Sequence, residues 1–444
     1  MGCIILKIKT TIAAVAAIAA TACNSSDPEI PQNPEPIIGK EVSTNIIYQV
    51  NPRFFGEIDC LDGVISHLSR ISDMNCDILW IMPIYETGEF RGIGSPYCIR
   101  DFTSVNPRYG SIEDMKVLVN SAHEKGMKVI LDWVANHTAW DCPWITEHPD
   151  WYKKDAAGNI ISPNGWTDVA QLEFGNASLR EAMKSSMIFW VNQLGIDGFR
   201  CDYADGVPHD FWCDVIRELK SINPHMIMLA ETGDPAYFND GFDLVYDWSS
   251  ATAISSVFKG GKPMEVVKQA QEVIKHVPDG KSILRYVFNH DVAAENNVAT
   301  MFGSPEGLPV AYVLASMLNG TPMIYSSMDV EGVTGKLSFF DYKSLDFSTT
   351  RCNEYKAINS AFRASADVRR GELRDYSNSS VVCFTRSIPG HNLLVVVNPT
   401  RNVQTIRAPI SLTGQTMTDL IEKKSYTVPV MIELEAYSYL ILNN

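Results

Sequence analysis

Residues 178–206, SLREAMKSSMIFWVNQLGIDGFRCDYADG, carry a complete change of hydrophobic period. Leu179, Met183, Met187, Trp190, Val191 and Leu194 recur at three- and four-residue spacing, which keeps one apolar face along a helix. Ser178 with Glu181 has the form of a capping box at its start, and Gly195 ends it. DGFRCD then reads as a strand, in which Arg200 and Asp202 are two apart and therefore share a face. A helix that hands over at once to a short apolar strand is the repeating step of a parallel sheet flanked by helices.

The same step recurs in both directions from this segment. Strands are expected at IIYQV from Ile46, ILWIMPI from Ile78, KVILDWV from Lys128, DGFRCD from Asp197, MIMLAE from Met226, LVYDW from Leu244, ILRYVFNH from Ile283 and TPMIYSS from Thr321. Helix-period segments separate them; one places Met115, Leu118, Val119 and Ala122 on a single face before Gly126. Eight such units predict an α/β fold, a (β/α)8 TIM barrel over residues 45–360, with its functional residues at the C-terminal ends of the strands. The connection after the third strand, residues 138–177, holds Trp140, Trp144, Trp151, Tyr152 and Trp166 and is too long for a plain loop, so it is expected to form a small excursion domain over the barrel mouth. From 361 to 444 the pattern becomes β only, in VVCFTRS, LLVVVNP, VQTIRAPI and SYLILNN, which predicts a C-terminal antiparallel β-sandwich.

The N-terminus reads differently. Lys7 and Lys9 precede a small apolar run from Thr10 to Ala22 and then Cys23, a signal peptide over residues 1–22 whose apolar part is too short for a permanent span. Ala20-Thr21-Ala22-Cys23 resembles a bacterial lipoprotein signal, in which the cysteine is lipidated. Residues 23–44 follow as a linker stiffened by Pro28, Pro31, Pro34 and Pro36. The expectation is an exported lipoprotein, anchored through Cys23 on the periplasmic or cell-surface face of a membrane. Of the ten cysteines, the eight from Cys60 to Cys383 show no CxxC or finger spacing, and buried free thiols are the expected state for most. A net charge of −15 repels phosphate backbones and bare anionic lipid, which excludes nucleic acid as a partner and favours a neutral ligand.

Acids stand at three of the predicted strand ends. Asp202 follows Arg200 on the fourth strand, Glu231 ends the fifth, and His290-Asp291 end the seventh, while the third adds Asp132, Asn136 and His137. One acid at a strand end is unremarkable, as a helix cap or a solvated loop residue. Three, with an arginine and two histidines at one mouth, suit glycosidic cleavage, which needs one carboxylate as nucleophile and another as acid and then base. Arg200 favours the charged form of Asp202, and the apolar Met228-Leu229-Ala230 before Glu231 favours a retained proton.

DWVANH, GFRCD, LAET and FNHD, in that order on strands three, four, five and seven, resemble the four hallmark segments of the α-amylase family, glycoside hydrolase family 13. SPYCIRDFTSVNPRYGSIEDMKVLVNSAHEKGMKVILD, residues 95–132, is similar to the family's second-to-third strand segment. The resemblance implies that Asp202 is the nucleophile, Glu231 the acid/base and Asp291 a carboxylate that holds sugar hydroxyls. It makes Arg200 the residue that orients Asp202, Tyr97 the aromatic that stacks on the sugar, and His137 and His290 hydrogen-bonders of its hydroxyls. It implies a substrate that is an α-glucan or maltooligosaccharide, cleaved at α-1,4 bonds. A glucanotransferase or an α-1,6-cleaving relative shares the same acids, and a non-catalytic glucan-binding lipoprotein is the alternative outside enzymes. The family's calcium position falls on Asn136, but its usual partners are here Gln171 and Gly206, with Asp168 close by, so calcium is expected to be held poorly if at all. Asp205 replaces a lysine common in amylases, and YSSMDV from Tyr325 lacks the family's usual Gly and Glu.

Overall fold

The computed structural model describes residues 44–333 and 335–444, all within one compact unit. The signal segment, Cys23 and nearly all of the linker lie outside the described residues.

Eight parallel strands close a barrel: β1 (Ile47–Val50), β2 (Ile78–Ile81), β3 (Lys128–Trp133), β4 (Gly198–Cys201), β5 (Ile227–Ala230), β6 (Leu244–Tyr246), β7 (Ser282–Arg285) and β8 (Thr321–Tyr325). They neighbour one another in chain order, and β8 pairs with β1 through Tyr48↔Ile324. The strands are shorter than their apolar runs. ILRYVFNH, for instance, leaves β7 at Arg285, and His290 already begins the next helix, His290–Glu295. The interior is filled by Ile47, Ile78, Trp80, Ile130, Leu229, Leu244, Tyr246, Leu284, Tyr286 and Met323, packed as one core.

The helix Ala177–Leu194 starts two residues before the expected capping box would place it, and by a different device. Asn176 is its N-cap, accepting from the main-chain N–H groups of Ser178 and Leu179, where a Ser178–Glu181 capping box was expected. Asn is as good a cap as Ser, and its position one residue ahead of the first turn decided the choice. Gly195, at φ 66, closes the other end in the left-handed conformation, as expected.

Residues 138–177 leave the barrel as an excursion built on a short hairpin, His137–Ala139 with Val169–Gln171, and Trp151 and Tyr152 are buried within it. At the C-terminal end, a six-stranded antiparallel sheet and a two-stranded one face each other. Strand His391–Asn398 explains its continuous apolar run: Leu393, Val395 and Val397 join the core shared with the barrel, while Leu394 and Val396 face the core between the two sheets. Against the first set packs Gly307–Met317, a helix buried on every side. The eight described cysteines are free thiols, six of them buried.

Candidate active site

Gly198 opens β4 because the chain passes very close to β5 there; a Cβ would stand 1.9 Å from the carbonyl oxygen of Ile227. That tight pairing, in register from Gly198↔Ile227 to Cys201↔Ala230, delivers Asp202 and Glu231 side by side at the mouth. Arg200, fully buried on β4, ties them together. Its Nη1 lies 2.7 Å from Asp132 and 2.8 Å from Asp202, and its Nη2 lies 2.8 Å from Glu231. Nε donates to the Tyr246 hydroxyl at 3.3 Å, and the guanidinium sits 5.1 Å from the Trp80 ring centroid.

Tyr203, immediately after Asp202, holds a left-handed backbone at φ 40 and ψ 54, an uncommon state for a non-glycine residue. This turn aims its N–H at Glu231 Oε2, 2.7 Å away. The two acids expected to act in sequence are therefore linked twice, through Arg200 and through the backbone that follows Asp202.

A second network fixes the aromatic wall. The Tyr97 hydroxyl bonds Asp132 Oδ2 at 3.1 Å and His290 Nε2 at 2.8 Å, and its ring stacks on His290 with centroids 5.3 Å apart. Gln49 Nε2 meets His290 Nδ1 at 2.8 Å, and Trp80 donates to Asp132 at 3.1 Å. Asp291, at the start of helix His290–Glu295, has its carboxylate 3.4 Å from His290 Nε2 and is the most exposed acid of the group, at 53%. His137 opens the excursion hairpin, paired with Gln171, and Trp166 stands edge-on to both His137 and Tyr203.

Electrostatically, burial dominates. It pushes Glu231 up to about 8 against the opposing pull of Arg200, with the charges of Asp202 and Asp291 adding to the rise. Asp202 rises to about 7 and Asp132 to about 6 for the same first reason, each opposed by Arg200. The arginine was expected to keep Asp202 ionised. Burial outweighs that pull, and the negative charges of Asp132 and Asp291 add to the rise, yet the expected order survives: Glu231 keeps its proton to higher pH than Asp202. Burial drives both histidines down to about 4, so His137 and His290 are neutral hydrogen-bonding groups at neutral pH.

The structure thus gathers Asp202, Glu231, Asp291, Arg200, Tyr97 and His290 around one mouth, with His137 on the flanking hairpin. Asp132, Trp80, Gln49, Tyr203 and Tyr246 were not named as site residues. Gln49 carried a signal, a polar residue in an otherwise apolar buried strand; Tyr203 carried none, since its backbone angles are set by the turn.

At the implied calcium position, Asn136 Oδ1 is buried without a hydrogen-bond partner and lies against Gly206, where a Cβ would approach it to 2.4 Å. One neutral oxygen is a poor start for an ion that takes about six to eight oxygen ligands, several of them usually carboxylates. The main-chain oxygen of Gln171 already accepts from Lys153, and among the described residues no group of three or more His, Cys, Asp or Glu side chains is arranged to hold a metal. The donor set does not fit a tightly bound calcium.

Comparison with known proteins agrees with this geometry. Residues 48–169 match the family model described as Alpha-amylase, the alpha amylase catalytic domain. Alpha-amylase 3 of Dictyoglomus thermophilum is 32% identical over 232 residues, covering 43% of this chain and 44% of that protein, so the match spans less than half of that relative. The maltogenic alpha-amylase of Bacillus acidopullulyticus is 25% identical over 427 residues, covering 88% of this chain and 71% of the other. Among solved structures, an alpha-amylase from Lactobacillus plantarum superposes with a TM-score of 0.80 at 26% identity, covering 90% of this chain and 99% of that one.

Proposed function

We propose that this chain, which belongs to the α-amylase family of glycoside hydrolases, hydrolyses α-1,4-glucosidic bonds in starch-like α-glucans or maltooligosaccharides with retention of configuration. The observation that carries the reading is the guanidinium of Arg200 bridging Asp202 and Glu231 at 2.8 Å each. Retaining cleavage needs two carboxyls about 5 to 5.5 Å apart, close enough for one to attack while the other protonates the leaving oxygen, and neighbours on one guanidinium suit that spacing.

In the first step a carboxylate oxygen of Asp202 bonds to the anomeric carbon as the glycosidic bond breaks, and the departing oxygen takes the proton of Glu231. In the second, the ionised Glu231 takes a proton from water, whose oxygen displaces Asp202 from the anomeric carbon and restores its carboxylate. The high proton affinity of Glu231 fits the first role and its loss of that proton fits the second. Tyr97, locked by its hydroxyl bonds to Asp132 and His290, presents its ring to the sugar, and neutral His137 and His290 with Asp291 hold hydroxyls. The family resemblance supports these assignments residue by residue.

The same reading makes the enzyme a lipoprotein, carried outside the cytoplasm and tethered through Cys23 by its Pro-rich linker; the small residues before Cys23 support this. Product analysis on starch, pullulan and maltooligosaccharides tests the catalytic proposal. Maltooligosaccharides released from starch, with no longer chains formed, support it; disproportionation to longer chains or cleavage confined to pullulan's α-1,6 bonds overturns it.

A further inference from the structure

Where the barrel wall meets the C-terminal sheet, three arginines are buried together. Arg285 ends β7 on the outer face of the barrel, Arg369 lies in the single turn Val368–Arg370 after the last barrel helix, and Arg386 lies on strand Val382–Ile388. They are 1%, 0% and 4% exposed. Their protein partners are few. Arg285 pairs with Asp247, donates from Nη1 to the Ser250 hydroxyl at 2.5 Å and from Nε to the Asn319 carbonyl at 2.7 Å. Arg369 donates from Nη2 to the Phe362 carbonyl at 3.1 Å and lies 3.8 Å over the Phe362 ring. Arg386 donates from Nη1 to the Gly371 carbonyl at 3.3 Å, two residues beyond Arg369.

That leaves Arg285 Nη2, Arg369 Nε and Nη1, and Arg386 Nε buried with no hydrogen-bond partner in the protein. Among the described residues, Asp247 is the only carboxylate in ion-pair contact with any of the three guanidiniums. Burial, and after it the positive charge of Arg386, pushes Arg369 down to about 9. Burial and then Arg285 do the same to Arg386, so the three charges feel one another in sequence. A guanidinium does not give up its proton in a protein, and an uncompensated buried charge is costly. Three buried cations with one buried carboxylate and four unused N–H-bearing nitrogens call for negative charge from outside the chain.

We propose that a small inorganic anion of chloride size binds between the barrel and the C-terminal sheet, held by Arg285, Arg369 and Arg386. The near-complete burial of all three side chains excludes an organic acid or a nucleotide. Guanidinium N–H groups are the donors suited to such an ion, through charge-assisted hydrogen bonds. Because the three residues come from the barrel wall, the turn after it and the C-terminal sheet, the ion would fasten those parts together.

The test uses the full chain, purified in gluconate buffer free of chloride. Melting temperature is followed as chloride replaces gluconate at constant ionic strength, with a parallel phosphate series. The expected result is a rise of a few degrees once chloride exceeds its dissociation constant by about 100-fold. Arg386→Met should flatten the response, and Arg386→Lys should retain part of it. Should Arg386→Met fail to fold, the unaltered protein still decides the matter: equilibrated with chloride and rapidly desalted, it should release one equivalent of chloride per chain on denaturation, where the protein kept in gluconate releases none. A melting temperature indifferent to the anion, no chloride released above the buffer blank, a response to phosphate but not chloride, or an unchanged response in a folded Arg386→Met would each overturn the proposal.

Discussion

Arg200 and Asp132 form an ion pair at 2.7 Å in which neither side chain is exposed to solvent. Asp132 is therefore the fixed partner of the arginine, while Asp202 and Glu231, partly open to the mouth, contact the same guanidinium from the substrate side. Asp132 also accepts from Trp80 and Tyr97, so it positions both the guanidinium and the aromatic wall. The expected consequence is that Asp132→Asn leaves a foldable protein, because Arg200 keeps two other carboxylates. It should lower kcat by roughly 10²-fold or more, as misplacement by even about 1 Å does. Removing its negative charge should also make Asp202 and Glu231 more acidic. A kcat close to that of the unaltered enzyme would show that Asp132 positions nothing.

The pH profile follows from Glu231. A general acid must carry its proton in the free enzyme, so activity should fall as pH rises through the value near 8 to which burial pushes this group. The alkaline limb of kcat/KM on maltooligosaccharides measures it. In Asp132→Asn that limb should move to lower pH, since one of the charges that keeps the proton on the cluster is gone. A limb that stays in place, or moves to higher pH, contradicts the shared-arginine arrangement.

Stability should depend little on calcium. Asn136 Oδ1 is an orphaned oxygen, but among the described residues no cluster of three or more Asp, Glu, His or Cys side chains supplies the charge that a tightly held calcium usually takes. Chelation with EDTA should leave the melting temperature nearly unchanged, whereas a tightly bound structural ion stabilises by mass action and its removal would lower the transition markedly. A large drop restored by added calcium is the contrary result.

The anchor predicts a location. The unaltered precursor should fractionate with membranes, and Cys23→Ala should not, because stable attachment takes more than one acyl chain and that residue is the proposed point of lipidation. Persistence of the variant in the membrane fraction would remove the basis for the anchor.

Much of the architecture was legible because its signals are local. The period switch at Gly195, the two-residue spacing of Arg200 and Asp202, and the apolar runs before Glu231 all depend on near neighbours in the chain. The unbroken apolar run of Leu393 to Val397 likewise revealed a strand, though not that its two faces belong to different cores. What escaped notice depended on distant contacts. Asn176 capped its helix where Ser178 was expected, since both are good caps and the entering chain decides between them. Tyr97, Asp132, His290 and Gln49 form one hydrogen-bonded set although they are separated by up to 241 residues, and no local spacing announces it. The burial and mutual repulsion that raise Asp202 and Glu231 despite Arg200 are equally a property of the assembled mouth.

The central claim is the division of labour between Asp202 and Glu231, and the most direct measurement is the mass of the intact Glu231→Gln protein after incubation with an α-glucosyl fluoride. Fluoride departs without protonation, so the first step should proceed, while the second lacks its base. A covalent sugar should accumulate on Asp202, and cleavage of starch by the same variant should fall by roughly 10²- to 10⁴-fold. Asp202→Asn should take up no label from any substrate. A label mapped by peptide digestion to Asp291 or another residue, or an inverted anomeric product from the unaltered enzyme, would contradict the account.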